Sequence, residues 1–138
     1  MKGHETFEHT ADIGIRAWGD QFTEVFEEAA RALFSVMVNL KDIQPRETVR
    51  FELVAEAGEE LLLKWLKELL FTSDTRKILF SEFKVLDLTS EKLIAEARGE
   101  PLDRAKHSLG SEVKAITRHQ FKLVRDKGRY LAEVLLDI

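Results

Sequence analysis

With 138 residues, 44% of them apolar, the chain has the size of one domain and enough hydrophobic material to bury a core of its own. Its 21 Lys and Arg against 25 Asp and Glu leave a net charge of -4, which offers a phosphate backbone no overall attraction and argues against direct nucleic-acid binding. The absence of cysteine excludes disulfides, thiolate metal ligands and thiol nucleophiles together.

Residues 1–6 lack the apolar core of a signal peptide, and no stretch approaches the length that spans a bilayer, so a cytoplasmic protein is expected. Residues 5–8 read as an edge strand or its lead-in. Beyond them Ile13, Ile15 and Ala17 alternate with Gly14, Arg16 and Trp18, the period of a half-buried strand with Asp12 at its start. After the Gly19-Asp20 turn, residues 23–40 place Phe26, Ala29, Ala30, Leu33, Phe34 and Met37 at helical spacing. Thr23 suits the N-cap, Glu24, Glu27 and Glu28 suit the positive end of the helix dipole, and Pro45 lies beyond the far end. Period two returns over residues 47–55, where Val49, Phe51, Leu53 and Ala55 share a face. Gly58 then opens a second helix, striped by Leu62, Trp65, Leu66, Leu69 and Leu70 and expected to end near residues 72–74.

Between residues 77 and 88 the alternation slips phase twice, at Ser81-Glu82 and at Val85-Leu86, which predicts two bulges. A turn at 89–91 leads into a return strand over 92–98, with Leu93, Ala95 and Ala97 inward. The connector 102–110 is polar apart from two leucines and an alanine, with room for one helical turn. Strand pattern resumes over 112–123, turns at Asp126-Lys127-Gly128, and runs from Arg129 to the terminus. The fold class is therefore α+β: a single domain over residues 1–138, with a mostly antiparallel sheet of about six to eight strands and two long amphipathic helices packed on it.

The glycines never group into a phosphate-cradling loop, so no nucleotide fingerprint exists. His4 and His9 stand five apart, whereas the zinc-protease helix needs four. His107-Ser108 lacks an oriented third member and reads as a polar loop. Lys114, flanked by Val113 and Ala115, reads on spacing alone as a solvated strand lysine. Asp12 and Asp137 form the more interesting pair: one opens the first long strand, and the other lies beside the terminal carboxylate of Ile138. Clustered oxygens of this kind suit a hard divalent cation, while spacing alone favours two surface acids at strand ends.

The stretch Phe7-Glu8-His9-Thr10-Ala11-Asp12-Ile13-Gly14-Ile15-Arg16-Ala17-Trp18-Gly19 strongly resembles the N-terminal signature of the archease family. Leu33-Phe34-Ser35-Val36-Met37, Phe80-Ser81-Glu82-Phe83, Ala97-Arg98-Gly99-Glu100 and the run from Gly110 to His119 resemble further family blocks in the same order, as does the terminal Leu136-Asp137-Ile138. Arg118 departs from the pattern, where an aromatic residue is expected, and so does the loop expected over residues 71–74, usually more apolar. The resemblance implies a protein factor, not itself an enzyme, that activates the RtcB-type RNA ligase of tRNA splicing. Such a factor promotes the ligase's guanylylation and multiple turnover, broadens its use of nucleoside triphosphates, and meets tRNA only indirectly. An older reading of the family makes it a chaperone-like or general protein-binding module. The resemblance also implies a metal site at Asp12, Asp137 and a main-chain oxygen of Ile138, with calcium as its ion. Lys114, His119 and His9 are candidate contacts to a partner or a phosphate.

Overall fold

The computed structural model describes residues 1–138. In chain order the elements are β1 (Gly3–His9), β2 (Asp12–Gly19), α1 (Phe22–Met37), β3 (Glu47–Val54), α2 (Gly58–Arg76), β4 (Ile78–Leu88), β5 (Lys92–Pro101), β6 (Ala115–Asp126) and β7 (Arg129–Asp137), with a short 3-10 turn over Leu40–Asp42. The seven strands fall within the expected number, every pairing is antiparallel, and the strands divide between two sheets, ordered β1-β2-β7-β6 and β3-β5-β4. Helix α1 accounts for the division. It packs against β1, β2 and β7 of one sheet and against β4 of the other, so its apolar surface fills the space between them.

The expected stripe of α1 is buried at Phe26, Ala29, Ala30, Leu33 and Phe34. Its first turn begins earlier than Thr23 suggests: Gln21 occupies the cap, and its N–H donates to the Glu24 carboxylate at 2.9 Å. Phe22 draws that turn inward by packing edge-on to Phe26, with ring centroids 5.0 Å apart, and against Tyr130 at 5.3 Å. The helix stops at Met37 rather than at residue 40 because Val38 turns extended and bridges to Leu109.

Helix α2 runs past residues 72–74 to Arg76, since Thr72 and Ser73 are buried and the chain reverses only at Lys77, in left-handed backbone at φ 54°. Residues 71–74 are therefore helix, not loop. The fully buried Trp65 donates its indole N–H to the Phe26 carbonyl at 3.0 Å and stands edge-on to Phe51 and Phe83, which ties α2 to α1 and to the three-stranded sheet.

Both phase slips in β4 are real. Its register against β5 shifts between Phe80 and Glu82 and again between Val85 and Asp87, and beside the second shift the Val85 N–H is taken by the Glu27 carboxylate of α1 at 2.9 Å. Strand β6 begins at Ala115 rather than at residue 112. The preceding chain is instead drawn to the end of α1, where the Gly110 and Ser111 N–H groups bond the carbonyls of Met37 and Val36 at 2.8 and 3.0 Å. The β6 ladder is also interrupted between Thr117 and Lys122, with Gln120 left-handed at φ 54°.

Candidate functional site

The site grows from the turn between β1 and β2. Two residues, Thr10 and Ala11, reverse the chain, and Thr10 takes positive φ (40°) to do so. This sets His9 opposite Asp12. On the other side of β2 the register sets Asp12 directly opposite Asp137, and Ala115 of β6 lies opposite Asp137 in turn. His9, Asp12, Asp137 and Ala115 thus form one row across four strands, on the sheet face away from Ile15, Ala17, Val134 and Leu136 of the core. Opposed residues on one face have Cβ atoms about 4.5–5.5 Å apart, so the two carboxylates are close neighbours.

Two rows away, the same face shows how the molecule treats acids it intends to keep neutralised. Arg16 donates to Glu5 at 2.6 Å and to Glu133 on the other flank, and its guanidinium lies 4.6 Å from the centre of the Phe7 ring. Glu5 first, then Glu133, hold the guanidinium in its charged form. In the intervening row Phe7 covers Gly14 so closely that a Cβ there would lie 2.2 Å from the ring. Asp12 and Asp137 receive no such treatment: no Lys, Arg or His is ion-paired to either.

No three side chains of His, Cys, Asp or Glu gather into a metal cage, so any cation here would depend on main-chain oxygen as well. The Asp137 carbonyl accepts the Lys114 N–H at 2.7 Å, which ties the chain before β6 to the end of β7. The set that the family resemblance implies consists of oxygens alone, the carboxylates of Asp12 and Asp137, which the register places side by side, and a main-chain oxygen of Ile138. Such a set suits a hard cation that completes its shell with water.

A second cluster organises the connector after β5. Glu100, buried at 5% exposure, accepts from Lys106 Nζ at 2.8 Å, from the Gln44 N–H at 2.7 Å and from His107 Nε2 at 3.0 Å. His107 Nδ1 accepts the Asp103 N–H at 3.0 Å, which leaves the ring proton on Nε2 for Glu100. The expectation of an ordinary polar loop fails at His107, whose side chain is fully buried. It is a structural pin with no substrate-facing nitrogen, and Ser108 takes no part. Spacing could not reveal this, because Glu100 lies on a strand and His107 in the connector.

Residues 4–138 match the model of the Archease protein family. The chain belongs to the archease family. It is 44% identical to the archease of Pyrococcus abyssi, covering all of both chains, and 42% identical to that of Methanopyrus kandleri, covering 97% of this chain and 98% of the relative. The solution structure of Methanobacterium thermoautotrophicum protein 1598 superposes with a TM-score of 0.88 at 42% identity, with full coverage of both. The crystal structure of a Thermotoga maritima archease, described as a possible chaperone, shares the fold with a TM-score of 0.67 at 22% identity, over 97% of this chain and 96% of that one.

Within this archease fold the candidate contact residues separate. His9 is in the carboxylate row, half-buried, with Nδ1 enclosed and without a hydrogen-bond partner. Lys114 is exposed and precedes β6 rather than lying in it; its side chain lines a groove beside α2, while its amide binds Asp137. His119 is exposed in the interruption of β6, four residues past Ala115, and has no cross-strand partner on β7.

Proposed function

We propose that this archease-family protein is a non-enzymatic activator of an RtcB-type RNA ligase, promoting its guanylylation and repeated turnover and widening its choice of nucleoside triphosphate. The reading rests on the family and on one observation, the direct cross-strand opposition of Asp12 and Asp137 without a basic partner. Like charges so placed destabilise a sheet. A calcium ion held by their side chains and the main-chain oxygen of Ile138 would relieve that repulsion and present a positive centre to a phosphate or carboxylate of the ligase. Asp12 and Asp137 would hold the ion, with the hairpin at Thr10 and the last pairs of β7 setting their separation, and the Lys114 amide ties the chain before β6 to the Asp137 main chain.

The net charge of -4 favours meeting tRNA through the ligase rather than directly. No helix is long and apolar enough to cross a membrane, and the reading places the protein in the cytoplasm with its ligase. The chaperone-like alternative calls for a broad apolar surface. Here the exposed large apolar side chains, among them Val54, Phe71, Leu86 and Leu109, stand on separate elements.

Two assays test the reading. Added to a purified RtcB-type ligase, the protein should carry RNA joining past the first turnover, and calorimetry should show calcium binding that Asp12→Ala removes. A ligase left at single turnover, together with suppressed aggregation of unrelated clients, would select the chaperone reading instead.

A further inference from the structure

The solvent stripe of α2 contains a residue that folding does not need. That stripe runs Lys64, Lys67, Phe71, Asp74 at helical spacing, and every apolar side chain of the helix except Phe71 faces inward. Phe71 is 63% exposed. A single exposed apolar residue is ordinary, but this one belongs to a groove of about 280 Å³ between α2 and the start of β6, floored by Leu70, Ala115 and Ile116. Lys67 and Lys114 flank the groove against one acid, Asp74. In a protein of net charge -4, this is an apolar seat with a local positive excess.

Position gives the groove its meaning. Ala115 lies opposite Asp137, and the Lys114 amide bonds the Asp137 carbonyl, so the groove begins one residue from the carboxylate pair. Its volume falls just below the roughly 300–1,000 Å³ typical of small-molecule pockets, which suits one inserted side chain of a protein better than a whole ligand. An aromatic anchor within a charged rim is the arrangement that carries energy at protein interfaces.

We infer that this groove is a protein docking surface, taking an apolar side chain of the partner against Phe71 and Ile116 while flanking carboxylates of that partner meet Lys67 and Lys114. The inference rests on the ligase-activator reading above, with the ligase as partner, and it divides the labour: the groove holds the partner, and the carboxylate pair acts on it.

The test titrates the parent protein, Phe71→Ser and Lys67→Glu into a purified RtcB-type ligase and follows guanylylation, with thermal melts and sedimentation of each alone. Both residues are exposed, so the melts should match the parent. The concentration giving half-maximal activation should rise about tenfold or more for each, as expected for an interface anchor, with the same plateau at saturation. Asp137→Ala should do the reverse, lowering the plateau. Parent activation with half-points unchanged in both groove variants would overturn the docking surface and leave the activator reading standing. A parent that never activates the ligase would remove both. A parent dimer that Phe71→Ser dissociates would make the groove a contact between copies and overturn the inference.

Discussion

Gly14 and Trp65 show two ways in which one residue constrains this molecule. A Cβ at Gly14 would sit 2.2 Å from the Phe7 ring, so Gly14→Ala must displace the ring. Because the clash is with the far end of a half-buried side chain that can swing aside, the cost should stay near the low end of overpacking, about 1 kcal/mol. Urea denaturation should show that loss in wild-type background and much less of it in Phe7→Ala, because the two sites share one contact. Equal losses in both backgrounds would mean that the ring does not lie on the glycine. Trp65, fully buried and bonded to Phe26, should cost about 3–5 kcal/mol on truncation to alanine; a change under about 1 kcal/mol would remove it from the core. Its burial follows from the spacing of Leu62, Leu66 and Leu69 around it. The turn at Thr10 is different. Glycine or asparagine normally marks such a hairpin, and a β-branched residue at φ 40° carries no such signal, so the pairing of β1 with β2 could not be read from the chain.

At the scale of elements, hydrophobic period was the reliable guide where one face is buried. Both bulges of β4 lie where the alternation slips, since a phase change in a half-buried strand must be absorbed by an extra residue. Boundaries were less readable, because tertiary partners decide them: Phe22 starts α1, Leu109 ends it, and the carbonyls at its end delay β6. The connector after β5 depends on a charge that no period encodes. Lys106 foremost, then the Gln44 amide and His107, hold the Glu100 carboxyl at about 2, against an ordinary 4.5. Because the folded state resists protonation, this group's contribution to stability is complete above the ordinary value and fades as pH falls from 4.5 towards 2. Glu100→Gln should therefore be less stable than the parent near neutral pH, and urea midpoints of the two should converge across that acidic window. A constant gap down to the most acid point would show that Glu100 is not held ionised by its partners.

For the whole molecule, the decisive feature is that the first long strand pairs with the last. Pattern alone leaves Asp12 and Asp137 as two distant surface acids, because nothing in the period of either strand says which neighbour it will choose. The family resemblance joined them, and the register of β2 on β7 sets them face to face. The division into two sheets was hidden for the same reason, since it depends on α1 lying between strands remote in sequence. What the sheet brings together, the function should require. The most direct measurement is ligase guanylylation with radiolabelled GTP in the presence of the parent protein, Asp12→Ala or Asp137→Ala, with each variant's stability measured alongside. The parent should accelerate label transfer. Each variant should fail to do so while remaining within about 0.5 kcal/mol of the parent, as expected for surface acids that repel one another. Full acceleration by both variants would contradict the account and move the working surface away from the carboxylate pair.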